Sequence, residues 1–442
     1  MKRSLLFFCI WYLFFTGCSM QNTSLQKKEI SQEAAVYQNE NKEKQEITLA
    51  FWYEDSQMQA VVDAFNAQSP DYQVNYVTYM QPGEMAIGKR EELEKELKQG
   101  KGPDILQDFM VDLEEYVKKG YLQPLDGVVQ EELFLQAAME AGKYKGITYG
   151  IPYGFTPIIL MASEELTGEK DTWTLQEMME VVKNSGAEVF MCGCDGEEII
   201  KYCAIAGAGE EVFLNWEKNT CNFDNSEFCE FLEFAKEYAD IHMADPNNGS
   251  AIQKGKIATM CRRVLSLLEM NYYDEVFENQ TNYIGFPCKQ GQAVYAEAQC
   301  LYMNAASTKK EGVNAFLNFL LSEEIQKEKV DRLIASFTAG GAFCVRLSTL
   351  DYYIESQKAN HKGDRTWEQG SDGINFYYSA MTDKQEQQFR EILTHCIPVD
   401  ERRRKINSIV GDVTDAFFEG GQSAEYTAKE LQRKVQEYLD NY

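Results

Sequence analysis

Positive charge is scarce in this chain: 43 Lys and Arg stand against 70 Asp and Glu over 442 residues, a formal charge of -27. Such a surface repels phosphate backbones and anionic lipid headgroups, which argues against nucleic acid as a partner. Anionic solutes stay open, because a local pocket can oppose the global field. Histidine is scarcer still, with only His242, His361 and His395, and none stands near a cysteine at zinc-site spacing. No metal and no cofactor are therefore expected. The chain also lacks an HExxH helix, a GxSxG nucleophile elbow and a Walker phosphate loop. Adjacent acids such as Glu91-Glu92 and Glu114-Glu115 point apart on a helix and make poor acid/base dyads; carboxylates brought together by the fold stay open. Beyond the N-terminus there is no apolar run of the ~20 residues a spanning helix needs, and no internal repeat.

What the N-terminus does contain is an address. Lys2 and Arg3 precede an apolar run at 5–15, too short to span a bilayer and suited to a secretory signal. Phe15-Thr16-Gly17-Cys18 resembles the lipobox of bacterial lipoproteins, with Phe15 where leucine is usual. The resemblance implies removal of residues 1–17 and a diacylglycerol on Cys18; a plain signal peptide or an uncleaved anchor are the other readings. Residues 18–46 carry that cysteine and a polar stretch rich in Gln, Asn, Glu and Lys, which reads as a disordered tether. Of twelve cysteines, Cys9 and Cys18 belong to this region. The other ten, irregularly spaced between Cys192 and Cys396, read mostly as free buried thiols, with one or two disulfides open.

A length of 442 residues exceeds what one core usually holds, so two lobes are expected. The run at 47–52 reads as a buried strand. Met58, Val61, Val62 and Phe65 then fall at helical spacing, and Ser69-Pro70-Asp71 breaks that helix. Strands at 74–79 and 102–106 follow, separated by a helix containing Leu93 and Leu97. This alternation predicts an α/β fold with parallel strands and ligand groups at their C-terminal ends. Leu113, Tyr116 and Val117 mark another helix, 157–161 another strand, and Thr174-Leu175-Gln176-Glu177 a capping box. Residues 183–250 give no clear motif. Ala428, Leu431, Val435 and Tyr438 mark a terminal helix opened near Ser423.

Four stretches in this order resemble the extracellular solute-binding proteins of sugar-type ABC importers, the group that includes maltose-binding protein. They are the strand-helix-strand at 47–79; Gly102-Pro103-Asp104-Ile105 with Gly120-Tyr121-Leu122-Gln123-Pro124-Leu125-Asp126; Tyr149-Gly150-Ile151-Pro152 with Thr172-Trp173-Thr174; and Ile284-Gly285-Phe286-Pro287 followed by Asn304-Ala305-Ala306-Ser307. Phe417-Phe418-Glu419-Gly420-Gly421 and the last helix also fit. The resemblance implies a two-lobed periplasmic-binding-protein-like fold with a three-strand hinge and an interlobe ligand cleft. One lobe would take 47–156 plus 299–344, the other 157–298 plus 345–442. It implies a monomeric, lipid-anchored protein on the extracytoplasmic face that captures a small solute, expected to be a sugar, and hands it to an ABC permease without chemistry. A non-sugar ligand on the same fold (peptide, polyamine or organophosphate), a surface carbohydrate-active enzyme, and a scaffold or adhesin are the alternatives.

A sugar offers hydroxyls and an apolar CH face, so its site needs aromatic platforms and a few convergent polar groups. Trp52, Tyr53, Glu54 and Asp55 follow the first strand and are candidates; Asp55 would otherwise cap the next helix, and Trp52 and Tyr53 would otherwise be core. Asp108, followed by Phe109, occupies the same edge, with a solvated loop acid as the plain alternative. Tyr153 and Phe155 lie beside the expected hinge, and Glu297 near its second crossing. Arg262 or Arg263 would enter the pocket or form a surface ion pair. Trp173 is expected to pack at the head of its helix.

Overall fold

The run at 47–52 is apolar because it forms a central strand, β1 (Gln45–Phe51), whose residues from Ile47 to Phe51 are almost all buried. Helix α1 (Ser56–Gln68) follows, and its four buried residues are Met58, Val61, Val62 and Phe65. It ends where the Ser69 N–H bonds the Phe65 carbonyl and Pro70 removes the next donor. Strand β2 (Tyr72–Thr78), helix α2 (Ala86–Lys98), the short β3 (Ile105–Gln107) and helix α3 (Leu113–Lys118) continue the alternation. The computed structural model describes residues 43–80, 84, 86–168, 170–207, 212–240, 248–288, 293–335, 342–359, 366–369 and 374–442. The expected signal peptide, Cys18 and the tether as far as residue 42 lie outside these, as do His242 and His361.

Beyond α3 come the fourteen-residue β4 (Gly150–Ser163), α4 (Leu175–Ser185), β5 (Val189–Cys192), α5 (Ser226–Glu237), β6 (Ile257–Arg263) and β7 (Val294–Met303). Helices α6 (Lys310–Leu320) and α7 (Glu323–Ala335), strand β8 (Cys396–Pro398), and helices α8 (Glu401–Phe418) and α9 (Ala424–Asn441) complete the main elements. The sheet runs β2-β1-β3-β7-β4-β6-β5, with β8 beside β7. It is mixed rather than wholly parallel. β1 and β3 are parallel, as are β6 and β5, whereas β7 is antiparallel to β3 and β4, and β6 to β4. The long strands β4 and β7 thus join two groups that are each locally parallel.

Residues 46–442 form one compact unit whose core falls into two clusters. The first gathers β1, β3, α1 and α6, and also takes in Leu267, Met270 and Tyr353. The second draws on α4, α5, α8 and α9 around Trp173 and Phe190. Between Ile158 and Ala162, alternate residues of β4 serve different clusters, as the two-residue repeat of a strand requires. Near this crossing three extended segments lie side by side: Ala298 of β7 is opposite Phe155, and Phe343 flanks Phe155 on the other side. Phe155 and Phe343 exchange both backbone hydrogen bonds, at 3.1 and 2.7 Å. None of the ten cysteines from Cys192 to Cys396 is in a disulfide, and seven of them are buried. Among the described residues no helix is long and apolar enough to cross a membrane.

Candidate functional site

After Phe51 the chain leaves the sheet and must start a helix within a few residues. Asp55 does this: its Oδ1 accepts from the Gln57 and Met58 amides at 2.9 and 3.0 Å, and its own N–H donates to the Tyr76 hydroxyl at 2.9 Å. Trp52 is buried, meets Tyr79 edge-on, and donates its indole N–H to the Phe109 carbonyl at 2.8 Å. That bond ties the β1 turn to the turn after β3. The neighbouring rings are turned outward, Tyr53 54% and Phe109 61% exposed, and both line a cavity of about 780 Å³ at this edge.

Helix α7 supplies another wall. Ile325, Gln326, Lys329 and Arg332 share one face of it and line the same cavity. Tyr153 of β4 and Gln299 of β7 contribute from the sheet. The Lys329 ammonium is 3.4 Å from the Tyr153 carbonyl and 5.9 Å from the centre of its ring. Burial pulls the Lys329 pKa down to about 8. Gly154 permits this approach, since a Cβ there would sit 2.7 Å from the Ala342 Cβ and 3.0 Å from the Lys329 Nζ. Among the described residues no group of three or more His, Cys, Asp or Glu is placed to hold a metal ion.

A cavity with outward aromatic rings at the C-terminal ends of strands has the form that small-solute sites commonly take. The sequence profile described as bacterial extracellular solute-binding protein matches residues 60–339. The chain belongs to that family. Solved structures share the fold of this solute-binding protein at low identity. The sugar-binding protein MalE of Xanthomonas citri is 17% identical, with 89% of this chain and 98% of that one covered and a TM-score of 0.61. An ABC transporter solute-binding protein of Thermotoga lettingae, bound with alpha-D-tagatose, is 15% identical over 89% and 100% of the two chains, at a TM-score of 0.57. The Listeria monocytogenes ABC substrate-binding protein in complex with cycloalternan is 18% identical over 90% and 100%, at 0.56. Among curated protein sequences nothing matches.

The solute-binding protein gathers Trp52, Tyr53, Glu54, Asp55 and Tyr153 around the cavity and leaves the other candidates outside it. Phe155 is fully buried against Phe343 in the three-segment crossing. Arg262 reaches the Cys261 carbonyl at 3.2 Å and the Cys192 sulfur at 3.5 Å. Glu297 is held by both terminal nitrogens of Arg263, at 2.7 and 2.9 Å. Asp108 turns inward, where Tyr302 donates to it at 2.9 Å and Arg404 of α8 stands 3.8 Å away. Burial pushes the Asp108 and Glu297 carboxyls up, and Arg404 opposes both shifts. Lys405 meets Asp112 at 2.6 Å, and Arg404 also faces Glu401 at 3.8 Å. Ionic contacts therefore bridge α8, which belongs to the second core, to the turn after β3 and the N-cap of α3 in the first.

Glu401 makes that bridge pH-dependent. It is buried, and desolvation pushes its carboxyl from 4.5 up to about 7 against the pull of Arg404. A group raised on folding lends stability that is complete below its unfolded pKa and gone above its folded one. From about pH 4.5 to pH 7 the native protein should therefore lose roughly 3 kcal/mol through this group. Urea unfolding of wild type and Glu401→Gln across that range should show wild type falling relative to the variant. Parallel curves would contradict the assignment.

Proposed function

We propose that this protein captures a carbohydrate in the Tyr53–Phe109 cavity and delivers it unchanged to an ABC permease from the extracytoplasmic face of the membrane. The observation that carries this is the pair of exposed rings beside polar side chains, Glu54, Gln107 and Gln299, in one cavity of about 780 Å³. Rings present the face a pyranose stacks on, and the polar groups reach its hydroxyls. The lobes in this reading are 47–156 plus 299–344 and 157–298 plus 345–442. The second core, drawn from residues 158–295 and 406–439, falls within the second of these lobes, whereas the first core also takes in Leu267, Met270 and Tyr353 of that lobe. The crossing at Ala298, Phe155 and Phe343 is the hinge, and the protein acts as a monomer held by lipid on Cys18. Capture fits better than hydrolysis, because a glycosidase needs two facing carboxylates. The cavity's acids, Glu54 and Asp55, are sequence neighbours, and Asp55 is engaged as a helix cap.

A thermal-shift screen of the purified protein against saccharides, peptides, polyamines and sugar phosphates tests the reading. A ligand at 100 times its dissociation constant adds about 2.7 kcal/mol of stability, and we expect saccharides to produce the shift. A shift given only by peptides, polyamines or phosphate esters would move the protein to another ligand class on the same fold.

A further inference from the structure

We infer that the cavity is built for a saccharide that carries a carboxylate, with the Lys329 ammonium as its counter-ion. This rests on reading the cavity as a sugar site. Three cations line it, Arg90, Lys329 and Arg332, against two acids, Glu54 and Asp55. Arg90 donates to the Phe109 carbonyl at 3.1 Å, and Arg332 faces Glu328 at 3.9 Å. Lys329 differs. Its polar contact is the long one to the Tyr153 carbonyl, and among the described residues no carboxylate forms an ion pair with it.

The groups facing Lys329 do not neutralise it. Asp55, at the head of α1, exerts a field on the ammonium but turns its carboxylate to two backbone amides. Cys344, from the segment beside β4, is kept a neutral thiol by burial. Tyr153 offers its carbonyl and ring, and Arg332 on the same helix adds like charge. A half-buried ammonium without a counter-ion is costly, and a bound carboxylate relieves that cost while gaining a charge-assisted bond. With a formal charge of -27, the protein as a whole repels anions, so a cation here acts only at short range and selects at the site itself. Three cations against two acids leave one net positive charge in the lining, which matches a monoanion. A phosphate dianion would exceed that single net charge and would meet the exposed carboxylate of Glu54.

The test is isothermal titration at pH 7 with glucuronate, galacturonate and mannuronate mono- and disaccharides, each paired with its neutral counterpart, plus the sugar 6-phosphates. At least one uronate should bind tenfold or more tightly than its neutral counterpart. Lys329→Met should bring that ratio to near one through a loss of uronate affinity, with the melting temperature kept. Lys329→Arg should retain most of the preference. Raising the pH from 7 to 9.5 should erode it in wild type but not in Lys329→Arg, since the lysine titrates near 8. Neutral sugars binding as tightly as uronates, or phosphates binding best, would overturn the inference and leave the cavity as a ligand site. A uronate preference that survives Lys329→Met would overturn the role of Lys329. Failure of every saccharide would overturn the inference and the sugar reading together.

Discussion

Replacing both Tyr53 and Phe109 with alanine should lower saccharide affinity about 100-fold and leave the melting temperature nearly unchanged. Each ring offers an exposed face that a bound sugar would cover. Burial of that face, with the ring's specific contribution, is worth roughly 1.5 kcal/mol. Two such losses come to about 3 kcal/mol, a factor of about 100 in the dissociation constant. Stability should be spared, because both rings are more than half exposed and surface changes stay within about 0.5 kcal/mol. Trp52 is the contrasting case. It is 5% exposed and its indole holds the Phe109 carbonyl, so Trp52→Ala should reduce stability and binding together. Titration calorimetry and a melting curve on the same samples separate these effects. An unchanged affinity in the double variant would remove both rings from the site.

Trp173→Ala should cost about 3–5 kcal/mol, the largest stability loss expected from any single change discussed. The side chain is 1% exposed in the second core, and its indole N–H donates to the Gly285 carbonyl at 3.0 Å. Truncation would leave a large cavity and an orphaned acceptor, and both penalties add. The adjacent Thr174–Glu177 capping box is intact in both directions, so the helix start is fixed and cannot slide to fill the space. Trp173→Phe should fall between wild type and alanine. Urea unfolding measures both, and a loss under 1 kcal/mol would contradict the packing described.

Where a local pattern has one physical cause, the sequence was legible. The stripe Met58, Val61, Val62 and Phe65 is the buried face of α1, and Ser423 does cap the last helix. β4 was visible only at 157–161 because thirteen of its fourteen residues are buried on both faces, which erases the alternation of a half-exposed strand. Residues 183–250 gave little although they hold the twelve-residue α5, with Phe228, Phe231, Leu232 and Ala235 buried, because around it lie two-residue strands and a π-helical turn at Lys201–Gly207, too short or irregular for a period. The β1 edge of the site was readable from the strand end. Phe109 was named only beside Asp108, because a 3-10 turn at Asp108–Met110 sends one side chain inward and the next out. Lys329 and Arg332 carried no signal. On α7 they look like a solvated charged face, and only the return of that helix over the sheet edge turns them inward.

The most direct measurement is the fate of a bound saccharide. The purified protein is dialysed to equilibrium against the best ligand from the screen, then denatured, and the released sugar is weighed by mass spectrometry. We expect one equivalent per chain at its original mass, with retention lost in the Tyr53→Ala, Phe109→Ala double variant. Release of a shorter or oxidised sugar, or full retention by that variant, would contradict capture at this cavity.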